Sequence, residues 1–516
     1  MNRDDMIARL HERSAPWDIV VIGGGATGLG IAVDAASRGY EVALFEQADF
    51  SSGTSSRSTK LVHGGVRYLQ QGNIALVTEA LKERGLLLRN APHLVRDLAF
   101  VVPSYEWWES PFYGIGLKVY DLLAGRYGFG RSRMLTEDEV IAAIPSIQQA
   151  DLRGGTLYYD GQFDDARLAV NLAQTAAGQG ALVVNRMPVV GLGKDTAGVI
   201  ESVVVRDLEA DEEHVVGARV VVNATGPFAD AVRRLDAPAA PSIIAPSQGV
   251  HIVLDKSFLP GDSAIMVPHT SDGRVMFAIP WHDVAIVGTT DTPIETIELE
   301  PRAQEGEIDF ILDTANRYLA HPATRADIRS VFAGIRPLVR AGDAADTAAL
   351  SREHTILVDP MSGLLTIAGG KWTTYRRMAD DCVEQAILLG DLAPRECATK
   401  RLPIHGFHLN AERFGRLAYY GSDATSIEAL QMGDVVHEGL ALTRAEVVWA
   451  CRQEMARTVD DMLSRRSRSL LFDAAAASAA APAVAAIMAG ELGRDADWIE
   501  LQVAAFREIA ERYLPY

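Results

Sequence analysis

The first 390 residues alternate between short apolar runs and longer segments with helical spacing. "WDIVVIGGGATGLGIAVDAASRGYEVALFEQ" opens with an apolar run at 18–22 and turns at a glycine cluster. Ala32, Ala35 and Ala36 then give a helix one small face, Gly39 ends it, and a second apolar run follows at 42–45. That pattern predicts strand, turn, helix, strand. "DARLAVNLAQTAAGQGALVV" predicts another helix and strand. "VIESVVVRD" and "EHVVGARVVVNATGPFAD" predict paired strands, the second running into Ala224-Thr225-Gly226. "SQGVHIVLD" predicts a strand, and "RVMFAIPWHDVAIVGTTD" a hairpin turning near His282-Asp283. "EIDFILDTANRYLA" predicts an amphipathic helix, and "GLLTIAGGKWTTYRRMADDCVEQAI" a strand, a double glycine and a helix.

Beyond about residue 390 the strand pattern fades. Thr443 and Glu446 form a T-x-x-E capping box. Val447, Cys451, Met455, Val459 and Leu463 then share one helical face, so residues 391–516 are predicted to form a separate helical domain. "AAAASAAAPAVAAIMAG", Ala474 to Gly490, predicts a helix with a small-residue face and a break near Pro482. A membrane span needs roughly 20 strongly apolar residues, and alanine contributes little, so none is predicted here.

Length and charge narrow the classes. A chain of 516 residues exceeds one core, so two or three domains are expected. A net charge of −19 argues against a nucleic-acid binder and against general attraction to anionic lipid. Cys382, Cys397 and Cys451 form no C-x-x-C pair, so neither a disulfide framework nor a cysteine metal site is expected. No His/Asp/Glu group has metal-ligand spacing, so no metal is expected. The charged N-terminus lacks an apolar core, which predicts a cytoplasmic protein without a secretory signal.

The chemistry starts at Gly23, Gly25 and Gly28, which spell G-x-G-x-x-G between a predicted strand and helix. Such glycines let the backbone turn tightly and approach a pyrophosphate at the helix N-terminus. Glu46, 18 residues after Gly28, is placed to accept hydrogen bonds from a ribose and to repel a 2′-phosphate, which disfavours NADP. Two further strand-to-glycine junctions, at Val220–Gly226 and Leu364–Thr374, favour FAD over NAD, because a long cofactor is gripped by distant segments of one discontinuous domain. At the last junction Gly369 and Gly370 permit close approach, and a helix starting near Lys371 offers free N–H groups to the pyrimidine edge of a flavin.

"IGGGATGLGIAVDAASRGYEVALFEQADFSSGTSSRSTKLVHGGVRYL", "APHL", "FAGIRPLV", "SREH" and "GGKWTTYRRMAD" together resemble the FAD-dependent, quinone-linked glycerol-3-phosphate dehydrogenases, and "EMARTVDDMLSRRSR" resembles their C-terminal domain. The resemblance covers about Trp17 to Cys382 and about Thr443 to Leu471. It implies an α/β fold with a doubly wound FAD-binding domain of the D-amino-acid-oxidase-like type. Cofactor segments would lie at about 15–105, 155–245 and 355–390, interleaved with antiparallel-sheet substrate segments at about 106–154 and 246–354. It also implies oxidation of sn-glycerol 3-phosphate to dihydroxyacetone phosphate, noncovalent FAD, electron transfer to a membrane quinone, and peripheral attachment to the inner face of the cell membrane. A homodimer is compatible with it. An oxygen-reducing oxidase of glycerol phosphate or an amine, and a flavin-binding sensor or assembly subunit without turnover, remain alternatives.

The resemblance places "HGG-x-RY" beside flavin and substrate. Thr59, His63, Gly64 and Gly65 would contact the cofactor, the two glycines letting the backbone pass the ring system. Arg67 suits the substrate phosphate through its forked donors, and Tyr68 adds a hydroxyl. Arg336, Arg352 and Lys371 are further cations for a dianion, Thr373 and Thr374 can donate to phosphate or flavin oxygens, and Ala224, Gly226 and Gly370 line the cofactor. His251 in "GVHIVL" is the first candidate base, with a core histidine or a binding role as alternatives, and Arg336 can polarise the developing carbonyl. In "SYEWWESPFYGIGLKVYDLL", Trp107, Trp108, Phe112, Tyr113, Ile115, Leu117 and Lys118 suit either a membrane interface or, as the favoured reading, a buried aromatic cluster. "SRRSR", Ser464 to Arg468, is expected to be an ion-paired helix end.

Overall fold

The computed structural model describes residues 1–65, 69, 73–106, 109–268, 270, 273–340 and 354–515. Two sheets organise them. The first runs in the order His354–Val358, Leu365–Gly369, Glu212–Asn223, Trp17–Ile22, Val42–Phe45, Leu182–Val184. All its neighbours are parallel except the outer pair, His354–Val358 with Leu365–Gly369. Strand Trp17–Ile22 is buried on both faces apart from Asp18, which explains its unbroken apolar run. Helix Ala26–Ser37 packs tightly against helix Tyr375–Leu389: a Cβ on Gly30 would meet the Tyr375 ring at 2.9 Å. The predicted paired strands form a side ladder in which Ile200–Asp207 joins Glu212–Asn223 to Val189–Lys194.

The second sheet has ten strands around Ile244–Asp255 and Ile328–Val339, which pair antiparallel along almost their whole length. The hairpin Met276–Trp281 and Val284–Gly288 turns at His282, where φ is 51°. Val95–Ser104 and Gly154–Phe163 belong to this sheet, in a ladder running from Val95↔Phe163 to Ser104↔Gly154. The expected cofactor segments had included both strands, which here pair within the second sheet. Each reads as an ordinary apolar strand, and only the long-range pairing assigns it.

The tail is helical, and it packs onto the second sheet. Leu98, Phe100, Phe332 and Trp281 share one buried cluster with Val447, Leu463, Leu470, Val484 and Met488. The capping box at Thr443 and Glu446 is present and starts helix Arg444–Gln453. The single long helix expected from Val447 to Leu463 does not form: Met455 takes φ 53°, and a separate π-helical turn spans Asp461–Arg466. All five apolar residues are nonetheless buried. Helix Ala474–Leu492, in contrast, runs unbroken through Pro482. Pro482 is exposed, so the carbonyl that its missing N–H leaves free can turn to water while the Ala477, Ala481, Val484 and Met488 face stays packed. By length and hydropathy this helix would suffice to cross a membrane, but here that face is core.

The "SRRSR" segment is buried and ion-paired. Arg465 Nε and Arg466 Nη1 both lie 2.5 Å from Asp49, and Arg468 lies 2.8 Å from Asp164. Arg167 makes a buried fork with Glu454 at 2.7 and 2.8 Å. The arginines hold Asp49 and Asp164 well below the usual carboxylate range against the opposing effect of burial, and the pairs bolt the tail to the loop after strand Val42–Phe45 and to the start of helix Asp165–Gly178.

Candidate active site

Four parallel strands end side by side at Ile22, Phe45, Asn223 and Gly369, and an elongated cavity opens across their C-terminal ends. Ligands bind in this position in open α/β sheets. Gly23, with φ 108°, passes so close to the neighbouring strand that a Cβ would lie 2.8 Å from Ala224 O. A Cβ on Gly28 would run into Gly23 O, so the helix can start here only if that residue is bare. Gly25 is the N-cap of the helix, and the Ser55 hydroxyl takes the Ala26 N–H at 2.9 Å. Glu46 Oε2 accepts from Gly24 N–H at 2.6 Å and Oε1 from Ala48 N–H at 2.9 Å. Burial pushes the Glu46 carboxyl up to about 6, although those two N–H bonds pull the other way. Ala224 and Gly226 line the next strand end, and Gly369, Gly370 and Lys371 the last, with φ 77° and 76° at the two glycines. The bare glycines, the helix N-terminus behind them and the buried carboxylate of Glu46 fit FAD.

A second cavity, of about 180 Å³, lies on the other sheet. Thr59, His63, Gly65, Arg336, Arg274 and Asp291 line it. Arg336 lines this cavity and Pro337, the next residue on strand Ile328–Val339, lines the first. Arg336 Nη1 lies 3.0 Å from Asp291 Oδ1, and Arg274 Nη1 lies 3.3 Å from Asp291 Oδ2. Among the described residues the cavity lining holds two arginines, Arg336 and Arg274, and two acids, Asp291 and Asp160.

The expected residues do not all reach a cavity. His251 is buried and stacked on Phe332 at 4.7 Å, and its Nε2 bonds Thr59 Oγ1 at 2.9 Å. Only Thr59 of that pair lines the second cavity, so the ring faces it at one remove. Burial, then Arg336 and Lys60, hold His251 well below the usual histidine range, so it is a weak base. Thr373 Oγ1 accepts from His63 N–H at 3.1 Å, and Thr374 Oγ1 donates to Lys371 O at 3.3 Å. Both threonines therefore brace the two turns. Arg67, Tyr68 and Arg352 lie outside the described residues, as do Trp107 and Trp108. Arg274, Asp291 and Asp160 are cavity residues that the sequence did not point to. No motif marks them, and the second sheet alone brings them together.

The neutral histidines have a consequence for stability. His93 is lowered to about 4 and His251 well below the usual histidine range, in both cases first by burial. The unfolded chain takes up these protons near pH 6.5, before the folded one does. Stability is therefore fully present above about 6.5 and lost as pH falls toward 4, by up to about 1.4 kcal/mol per pH unit for each ring. Glu46, Glu300 and Asp34, raised by burial, oppose this, whereas Asp49 and Asp164, held low by their arginines, lose stability in the same direction as the histidines. The FAD-saturated protein is expected to unfold at a lower temperature at pH 5.5 than at 7.5. Equal midpoints would show that the two rings are not neutral in the fold.

Comparisons with known proteins agree with this geometry. The family described as FAD dependent oxidoreductase matches residues 18–376, and that described as C-terminal domain of alpha-glycerophosphate oxidase matches residues 364–498. The mitochondrial glycerol-3-phosphate dehydrogenase of Mesocricetus auratus is 41% identical over 98% of this chain and 74% of its own. A mitochondrial glycerol-3-phosphate dehydrogenase of Arabidopsis thaliana is 39% identical over 97% of this chain and 87% of its own. The structure of the glycerol-3-phosphate dehydrogenase from Bacillus halodurans, complexed with FAD, superposes with a TM-score of 0.81 at 30% identity, covering 99% of this chain and 98% of that one. With a glycine-lined cavity at the ends of a doubly wound sheet, and relatives of this identity along nearly its whole length, the chain belongs to the FAD-dependent glycerol-3-phosphate dehydrogenase family.

Proposed function

We propose that this enzyme oxidises sn-glycerol 3-phosphate at C2 to dihydroxyacetone phosphate and passes the electrons to a membrane quinone. The observation that carries the reading is that consecutive residues of one strand, Pro337 and Arg336, line the crevice at the sheet's C-terminal ends and a small cavity that also holds Arg274. FAD, when bound, supplies the hydride acceptor. The turn at Gly23 and Gly25 with its helix would hold the pyrophosphate, Glu46 a ribose, and the backbone at Gly369–Lys371 the flavin edge. Arg336 and Arg274 orient the anion, and Arg336 polarises the oxygen that becomes the carbonyl. His63 lines this space and is the better placed proton acceptor, while His251 fixes the Thr59 hydroxyl. Arg67, Tyr68 and Arg352 are proposed to complete the phosphate site, with Lys371 and Thr373 at its border. We keep the division into interleaved parts over 15–390 and a helical domain over 391–516, with Val95–Ser104 and Gly154–Phe163 moved to the substrate part.

Peripheral attachment to the inner face of the cell membrane is part of the same proposal. Helix Glu109–Ala124 buries Tyr113, Leu117 and Tyr120 and exposes Phe112, Ile115, Val119 and Leu122, which follow one another at helical spacing on one face. The aromatic stretch is thus divided between core and surface. A contiguous apolar stripe is unusual on a soluble face and suits insertion into a lipid interface.

One experiment tests the set. Anaerobic glycerol 3-phosphate should bleach the bound flavin, and liposomes carrying a quinone should restore its colour. The protein should float with those liposomes at low and at moderate salt, because screening weakens charge contacts more than apolar insertion. An Ile115→Ser/Leu122→Ser variant should float less and still bleach. No bleaching would sink the substrate reading, and no flotation by the wild type would sink the membrane reading. Peroxide formed in step with turnover under air would transfer the acceptor role to oxygen.

A further inference from the structure

Tyr120 has no part in the reaction as described so far, yet it reaches the active-site turn. It lies on the buried side of helix Glu109–Ala124, opposite the apolar stripe. Its hydroxyl accepts the Gly64 N–H at 2.7 Å and donates to Asp160 Oδ2 at 2.7 Å. Arg84, also buried, closes on Asp160 Oδ1 at 2.6 Å and lies 4.1 Å from the Phe129 ring. A Cβ on Gly64 would run into the Tyr120 oxygen and stand 2.6 Å from Leu81 Cδ2. Gly64 is therefore bare because of Tyr120 and Leu81, whatever the flavin requires.

The neighbours of Gly64 give this contact its meaning. His63 and Gly65 both line the second cavity. The His63 N–H is held by Thr373 and the Gly64 N–H by Tyr120, so consecutive amides are pinned from two different elements. Asp160 also lines the cavity, where an ionised carboxylate would repel an anionic substrate. Tyr120 and Arg84 each occupy one of its oxygens. Burial, reinforced by Asp160, raises the Tyr120 phenol well above its usual range, so it keeps the proton it donates.

We propose that Tyr120 is a positioning residue for the reaction: it sets the His63–Gly65 turn against the substrate and engages the oxygen of Asp160 that Arg84 leaves open. The proposal rests on the reading of the second cavity as the substrate site. Tyr120→Phe keeps the ring that packs against Tyr158 and removes only the oxygen. The variant is expected to retain FAD and stay folded, with a midpoint somewhat lowered by the two buried hydrogen bonds it loses. Its flavin should be reduced by saturating glycerol 3-phosphate about ten-fold more slowly or worse, the loss expected when a hydrogen bond to a charged group is removed. KM should rise as well, and amide exchange in the peptide Leu61–Gly65 should speed up. A merely structural hydroxyl would lower the midpoint and leave reduction unchanged, and reduction within about two-fold of wild type overturns the proposal. If wild type is not reduced by glycerol 3-phosphate, the substrate reading fails, and unchanged amide exchange in Tyr120→Phe then overturns the positioning role separately. If Tyr120→Phe loses FAD, Gly64→Ala, which displaces the same oxygen, decides: slowed reduction with FAD bound supports the role, whereas unchanged reduction or loss of FAD overturns it.

Discussion

Arg336→Ala is expected to lower turnover about 30- to 1,000-fold while FAD stays bound, a loss of about 2–4 kcal/mol of transition-state stabilisation, as when an oxyanion donor is removed. The guanidinium sits at the wall of the second cavity, with its side chain 23% exposed. Its shorter contacts, to Thr290 O at 2.8 Å and Asp291 Oδ1 at 3.0 Å, fix its plane. Its longer ones, to Thr289 Oγ1 at 3.1 Å and Gln248 O at 3.3 Å, are bonds with which an oxygen gaining negative charge can compete. Removing the side chain does not strand Asp291, which keeps Arg274 and the Ser247 hydroxyl. Nor does it touch the cofactor crevice, which Pro337 lines in its place. A role confined to the transition state lowers kcat and kcat/KM together, whereas a pure binding role raises KM alone. Arg336→Lys should recover little, because an ammonium lacks the planar fork. Steady-state kinetics on the FAD-replete variant decides, and near-normal turnover would remove Arg336 from the chemistry.

What the sequence made legible follows the range of the interactions involved. The glycine turn, its strands and Glu46 are local, and each appears in the fold where the spacing puts it. Strand pairing is not local. Val95–Ser104 and Gly154–Phe163 meet across some sixty residues, and no feature of either run names its partner. The tail is helical as expected, but the face from Val447 to Leu463, though real as a buried set, is interrupted where Met455 adopts φ 53° without a glycine or proline to announce it. The site divides in the same way. Arg336 was visible through the resemblance, whereas Arg274, Asp291, Asp160 and Tyr120 come from separate segments that only the folded chain collects. His251 shows the limit of residue type as a guide, since its basicity depends on burial and on cations that no local pattern reveals.

Glu46→Gln is expected to weaken FAD binding about 10- to 100-fold at pH 7.5, with a flatter pH dependence than wild type. Both oxygens of the carboxylate already accept a backbone N–H, from Gly24 and from Ala48, and a glutamine has one oxygen to offer. Its amide nitrogen must therefore face one of those N–H groups, leaving a buried donor unmet at about 1–3 kcal/mol, and it cannot accept from a ribose hydroxyl, a charge-assisted bond of about 1.5–3 kcal/mol. Part of the first cost falls on the free protein as well, so the effect on affinity is smaller than the sum. The pH dependence follows from the sign of the shift. Burial holds Glu46 at about 6 in the free protein, and hydroxyl donors favour its ionised form. Wild-type affinity should then be constant above about pH 7 and fall as pH drops through 6, whereas the glutamine has no proton to gain. Fluorescence titration of the apoprotein with FAD between pH 7.5 and 5.5 reads both effects. A variant that binds as tightly as wild type at pH 7.5 would show that Glu46 does not hold the ribose. A variant that weakens in parallel with wild type on acidification would assign the pH dependence to another group.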